Sequence, residues 1–340
     1  MESNRVVNIF SPTQLFPLGA FAMQGYLIGE ALWEKGYEVN AIDIFSGEKR
    51  EGDINIYMPF HYATIYNDEI IKIPLQERSK YDMSKITFNI TGEATLVGIS
   101  DTDKFNEQAL EKIRGSNYNK FITLSRMQSE VFKMPRTTVI PAFVSYKINL
   151  FRRAVKPREN IPVVFLEAHT DYKRRGVDVA LKVLDQLYAE GVKFAAILTR
   201  WNEDFKVRER PYLQVLTGFM TEAEHYGIMK SCTHFLTLLR GGAFEISTLE
   251  ALALGLTVIL PEGSPSAEIP LKHGDAYWVN KCDKPFENWT NLFHVGKMRE
   301  VDYESALTTT REALKSQLSF DRMKYFEEYS AKKWALEFIK

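Results

Sequence analysis

The order of apolar runs predicts an α/β protein made of two doubly wound parallel sheets. Three observations carry this expectation. Short apolar segments alternate with amphipathic stretches along most of the chain. That alternation breaks at residues 151–162, which are charged, hold two prolines and show no periodicity. A length of 340 residues exceeds one ordinary core and fits two. Strands that alternate with helices pair in parallel and are covered on both faces.

The elements follow in order. Residues 6–10 read as a strand, and the next stretch, SPTQLFPLG, is a loop with two prolines and Gly19. Residues 20–35 place Ala20, Met23, Leu27 and Ala31 on one helical face, and Gly36 is a natural stop. Residues 39–44 form the next strand, with further strands expected at 54–58, 86–90, 120–124 and 138–140. Past the break the pattern restarts with strands at 163–166, 194–198, 214–218, 235–238 and 257–260. Helices are expected at 177–189, at 222–231 and in the stretch that carries Glu250. The last twenty residues form a helical pattern with Tyr325, Tyr329, Leu336 and Ile339 close to one face, interrupted by Lys332. The domains are therefore expected at 1–150 and 163–320, with residues 321–340 as a final helix. In such sheets ligands bind at the carboxyl ends of the strands, here across a cleft between the two domains.

Composition narrows the function. The chain is 45% hydrophobic and 26% charged, which reads as globular. A net charge of −1 gives no electrostatic case for nucleic acid. Cys232 and Cys282 make neither a disulfide framework nor a metal cluster and suit a cytoplasm. No apolar run approaches the roughly 20 residues of a membrane span. The start, MESNRVVNIF, lacks the form of a signal peptide. Of the six histidines none pairs at helical metal spacing, and HxE and CxxC are absent, so no zinc site is expected.

The stretch RGGAFEISTLEALALGLTVI, residues 240–259, carries the chemistry. A glycine-bearing loop enters a helix, so free backbone N–H groups gather where a phosphate can bind. Glu250 sits one turn in. Ser247-Thr-Leu-Glu250 equally fits a capping box, in which Ser247 and Glu250 satisfy the helix start between themselves. The second signal is Tyr172-Lys-Arg-Arg175-Gly-Val-Asp178 after the strand VVFL. Three cations at a helix start oppose the helix dipole, which favours an anion among them.

These motifs resemble the donor-binding segment of GT-B glycosyltransferases, specifically the retaining family GT4. Glu250-Ala-Leu-Ala-Leu-Gly255, the strand TVIL and Glu268 match the second half of that family's two-glutamate motif. The resemblance implies that Glu250 binds the ribose of a nucleotide sugar, as a carboxylate can accept from two vicinal hydroxyls. The first glutamate of the motif is replaced by Gly242, and Glu245, in the same loop, is the residue to take over the sugar contact. Ala243, Phe244, Glu245, Ile246 and Ser247 are implied to line the sugar and phosphate pocket. Arg175-Gly176 matches the family's lysine–glycine pair for the diphosphate, with Arg174 beside it, and Thr170 stands where an arginine often sits. Gly19 corresponds to the loop that approaches the phosphates. Glu93 and His61 are candidates for the acceptor side, and His169 for a donor contact.

The resemblance implies a GT-B fold of two Rossmann-like domains facing across a cleft, with the last helix crossing back to the first. Its implied reaction is transfer of a sugar from a nucleotide-sugar donor, with retention, to a glycan, lipid or protein. Arg175 and Glu245 are the expected catalytic residues. No metal or other cofactor is expected, because Arg175, its basic neighbours and the helix start would offset charge on the diphosphate. A cytoplasmic site is expected, with peripheral membrane contact left open. A sugar-nucleotide 2-epimerase, a catalytically silent GT-B binding protein and a nucleotide-dependent assembly scaffold stay open as alternatives.

Overall fold

The computed structural model describes residues 5–11, 20–44, 46, 52–58, 64–66, 69–70, 86–88, 93–98, 111, 114–154, 161–169, 172–201, 205–242, 244–286 and 298–340. The chain divides into two compact units. Unit 1 comprises Met1–Phe143, Thr290–Gly296 and Tyr329–Lys340, and unit 2 comprises Val144–Trp289 and Lys297–Glu328.

Unit 1 begins with β1 (Val6–Ser11), α1 (Ala20–Trp33), β2 (Glu38–Asp43) and β3 (Ile54–Tyr57). Next come the short strands β4 (Thr64–Tyr66), β5 (Glu69–Ile70) and β6 (Ile86–Phe88). It continues through β7 (Ala94–Gly98), β8 (Lys120–Thr123), α2 (Arg126–Phe132) and β9 (Thr137–Val139). The main sheet has the order β2-β1-β3-β7-β8-β9 and is parallel throughout. The strand expected at 86–90 belongs elsewhere: β6 pairs antiparallel with β4 in a separate three-stranded sheet. Its place beside β3 is taken by β7. Ser125 caps α2, accepting from the Gln128 amide.

Three asparagines lock the three strands at one side of this sheet. Asn8 stands level with Asn40 on β2 and Asn55 on β3. Asn40 Nδ2 donates to Asn8 Oδ1 at 3.0 Å, and Asn8 Nδ2 donates to Asn55 Oδ1 at 2.9 Å. A one-residue slip of any strand would break this row, so the amides fix register.

Unit 2 runs β10 (Val163–His169), α3 (Val177–Ala189), β11 (Ala195–Arg200), β12 (Leu213–Thr217), α4 (Glu222–Met229) and β13 (His234–Leu236). It goes on with α5 (Ile246–Leu254), β14 (Thr257–Pro261), β15 (Ala276–Val279), α6 (Tyr303–Ala313) and α7 (Met323–Glu328). Its sheet has the order β12-β11-β10-β13-β14-β15, again all parallel. The helix α3 shows why the sequence folds this way. Val177, Ala180, Leu181, Leu184 and Leu187 are buried, while Lys182, Asp185 and Gln186 are exposed. Each buried leucine contributes about 1.5–3 kcal/mol.

The final twenty residues are not one helix. After α7, Ser330 caps a new short helix, α8 (Ala331–Trp334), which passes into a 3₁₀ turn, Ala335–Phe338. Residues 329–340 belong to unit 1. There Phe338 O accepts from Thr95 Oγ1 at 2.8 Å, and the Phe338 ring meets Phe143 at 5.9 Å. Lys332, the interruption in the apolar face, is exposed and pairs with Glu34 at 2.7 Å. Among the described residues no helix is long and apolar enough to cross a membrane.

Candidate functional site

In unit 2 the chain leaves β10 toward β11 on one side, and β13 later adds on the other. Strand order therefore reverses between β10 and β13, the switch point where such sheets bind ligands. Three buried charged residues, Glu167, Arg240 and Glu245, collect at that carboxyl edge. Glu167 ends the apolar run of β10 and is 4% exposed. The register with β11 shifts between Glu167 and His169, a local irregularity at the strand's end.

The basic loop returns over this edge. Gly176 starts α3 with φ +65°, a left-handed conformation that L side chains rarely adopt. A Cβ there would lie 1.9 Å from Leu238 O, so only glycine allows the loop to lie against the segment after β13. Arg174 NH1 donates to Gly241 O at 3.1 Å, and the Arg240 amide donates to Arg174 O at 2.8 Å. Arg240 grips Asp178 in the first turn of α3 through two bonds of 2.6 and 3.0 Å. The loops after β10 and β13 are thus sewn together by bidentate and backbone contacts, which suits a rigid frame.

Arg175 is held inside that frame. Its NH1 donates to Glu167 Oε2 at 2.8 Å, and its NH2 pairs with Glu245 Oε1 at 2.9 Å. Its buried Nε has no hydrogen-bond partner among the described residues. Glu245 is 7% exposed, so it is not a solvated loop carboxylate. It occupies the N-cap position of α5 without making a side-chain cap. Ser247, in the first turn, donates its hydroxyl to Glu167 Oε2.

The capping-box alternative does not form, because Ser247 and Glu250 are both engaged elsewhere. Glu250 Oε1 accepts from Tyr226 Oη at 2.6 Å. Burial pushes the Glu250 carboxyl up to about 8; the Tyr226 hydrogen bond opposes this, and Glu167, Glu222 and Glu245 add to it. Tyr226 is raised well above its ordinary range by burial and then by Glu250, and its ring stacks on Phe151 at 5.8 Å. Beside it, burial lowers His225, while Glu167 pulls the other way. Glu222, at the start of α4, is raised by burial, with Lys147 opposing.

The structure thus brings together Arg174, Arg175, Glu245, Ser247 and Glu250. Gly242 is buried, and Phe244 and Ile246 are partly buried at the start of α5. Gly19, His61, Thr170 and Ala243 lie outside the described residues, as does the side chain of His169. Glu93 is placed at the amino end of β7, exposed and 3.4 Å from Arg5. That edge lies opposite the one where such sheets bind ligands. Sequence reasoning missed Glu167 and Tyr226. The signal for Glu167 was an acid closing the run Val163-Val-Phe-Leu at a strand's carboxyl end. The metal-free expectation also takes the chain to have no Asp-x-Asp, the usual metal–diphosphate ligand of the other large glycosyltransferase fold, and this is wrong: Asp101-Thr-Asp103 is one, and it lies outside the described residues. Among the described residues no group of three or more His, Cys, Asp or Glu side chains is arranged to hold a metal ion.

No protein-family profile matches the chain. It is 29% identical over 295 residues to the protein named "Putative glycosyltransferase 45" of Sulfolobus islandicus filamentous virus (isolate Iceland/Hveragerdi). That match covers 84% of this chain and 78% of the viral protein. The sucrose-phosphate synthase of Thermosynechococcus elongatus superposes with a TM-score of 0.58 at 11% identity, over 98% of this chain and 94% of that one. WaaG, a glycosyltransferase involved in lipopolysaccharide biosynthesis, gives 0.54 at 12%, over 97% and 95%. With its two parallel six-stranded sheets, the chain has the GT-B fold of these glycosyltransferases.

Proposed function

We propose that this protein is a glycosyltransferase, that unit 2 binds its nucleotide-sugar donor at the β10–β13 switch point, and that transfer is retaining and metal-independent. The observation that carries the reading is the buried set of Arg175, Glu167, Glu245 and Ser247 on one strand edge. Breaking the bond to a nucleoside diphosphate leaves negative charge on it. A fixed guanidinium and the amides at the start of α5 offset that charge without rearrangement. Glu250, with a carboxyl raised to about 8, both donates and accepts near neutral pH, which suits two vicinal ribose hydroxyls. Glu245, one of the two carboxylates on Arg175, takes in this reading the sugar-holding role of the missing first glutamate. The viral relative's name and the shared fold support the same class of reaction. The acceptor is a glycan, lipid or protein.

The test is release of nucleoside diphosphate from a panel of UDP-, GDP-, ADP- and TDP-sugars, with and without acceptors, in excess EDTA. Turnover in EDTA, with the anomeric configuration of the donor kept in the product by NMR, is the expected result. Activity that needs added manganese would move attention to Asp101 and Asp103. No release from any donor would favour a silent binding or assembly protein, and a 2-epimeric sugar product an epimerase.

A further inference from the structure

Glu167 belongs to none of the positions that the donor motif marks, yet it occupies the centre of the site. It is 4% exposed, and one of its oxygens, Oε2, receives both Arg175 NH1 and the Ser247 hydroxyl. The second terminal nitrogen of Arg175 is taken by Glu245 at 2.9 Å, and its Nε–H is left without a partner among the described residues. One guanidinium therefore faces two buried carboxylates. An oxyanion set between an arginine fork and the first turn of a helix has the contacts a phosphate oxygen would make.

The geometry points to Glu167 as an affinity-setting residue. In the ligand-free protein its carboxylate fills the anion seat formed by Arg175 and Ser247, and an incoming diphosphate must take both donors from it. The inference rests on the reading of this edge as the donor's phosphate site. A diphosphate seated here lies beside a buried like charge, which costs more in a protein interior than in water. The donor is consequently held less tightly, and the product diphosphate leaves more readily, than with a neutral residue at 167. If Glu167 only positioned Arg175 for the ligand, neutralising it would loosen Arg175 and weaken binding. The two roles predict opposite signs.

Inorganic pyrophosphate separates them, since it carries the diphosphate charge without base or sugar. Glu167→Gln keeps an acceptor oxygen for Arg175 and Ser247 at nearly the same size. By titration calorimetry it should bind pyrophosphate about ten-fold tighter than the parent, a change of about 1.4 kcal/mol. Glu167→Asp keeps the charge and should stay near the parent. Equal or weaker binding by Glu167→Gln, or no binding by either protein, overturns the inference. Should Glu167→Gln not fold, the parent supplies the answer. The carboxyl carbon resonance missing from Glu167→Asp must shift when the parent is saturated with pyrophosphate, and a resonance that stays in place overturns it. Failure of the glycosyltransferase reading would look different. No sugar nucleotide would be turned over, while pyrophosphate still bound more tightly to Glu167→Gln.

Discussion

Across the three strands at one side of the first sheet Asn40, Asn8 and Asn55 stand abreast, whereas the reversal point of the second sheet carries Glu167, Arg175 and Glu245. Both sets are largely buried polar groups on parallel strands or the loops that follow them. The amides are neutral, lie within the strands and hydrogen-bond one another, which sets register. The ions gather at the carboxyl end of a strand and in the loops beyond it, with one cation shared between two carboxylates. Ionic groups are expensive to bury, and replacing a buried pair with apolar residues is often neutral or stabilising. Their presence at a carboxyl edge, where ligands bind, therefore reads as function, and the amide row reads as architecture.

The largest expected effect follows from removing the shared cation. Arg175→Ala strands two buried carboxylates, and breaking a buried ion pair from one side costs about 3–5 kcal/mol. Denaturant unfolding should show this loss, and pyrophosphate binding should vanish with it. A loss no larger than that of the asparagine row would mean that the charges at this edge are well hydrated, and the contrast would collapse.

Asn8→Ala comes next. It removes the two hydrogen bonds of the row, from Asn40 Nδ2 and to Asn55 Oδ1, at a cost of about 1–3 kcal/mol for the two together. Anion binding, which belongs to unit 2, should be untouched. A change in pyrophosphate affinity of ten-fold or more on this substitution, about 1.4 kcal/mol, would show that the row does more than fix register.

Glu250→Gln sharpens the comparison through pH. The ordinary carboxyl value is 4.5, and in the fold burial raises Glu250 to about 8. Between these values the folded protein keeps a proton that the unfolded chain has released. This group's contribution is therefore whole below about 4.5 and is lost as the pH rises through about 8. Glutamine does not titrate, so the parent should lose stability relative to Glu250→Gln between pH 5 and 8. Parallel melting curves across that range would mean Glu250 is ionised in the fold.

Much of the fold was legible because strands and helices announce themselves by period, and residues 177–189 form the expected helix end to end. Period does not name a strand's partner, which is why residues 86–88 read as part of the parallel sheet and pair antiparallel instead. The last helix was misread because Tyr329 and Ser330 fit a helical face, while the Ser330 hydroxyl caps a new start. In the site, Arg175, Glu245, Ser247 and Glu250 lie in two contiguous motifs. Glu167 matters because Arg175, eight residues on, and Ser247, eighty on, meet at one of its oxygens. Tyr226 likewise reads as an apolar residue of an amphipathic helix until its hydroxyl is seen on Glu250. Such convergence is a property of the folded sheet and leaves no mark in local sequence.

The smallest effect is expected at Glu93, which the sequence offered as an acceptor-side residue. Its partner Arg5 is exposed and 3.4 Å away, and both side chains are about half open to solvent, 46% and 58%. Exposed pairs of this kind contribute about 0–1 kcal/mol, since each charge is nearly as well served by water. Glu93 also precedes β7, on the amino edge of a parallel sheet, whereas ligands approach the carboxyl edge. Glu93→Ala should thus shift the unfolding midpoint hardly at all and leave transfer to any working acceptor within about two-fold of the parent, or 0.4 kcal/mol in the transition state. A ten-fold fall in transfer with unchanged stability would put the acceptor on the amino edge after all. The contrast between a structural first sheet and a chemical carboxyl edge in the second would then need to be redrawn around Glu93.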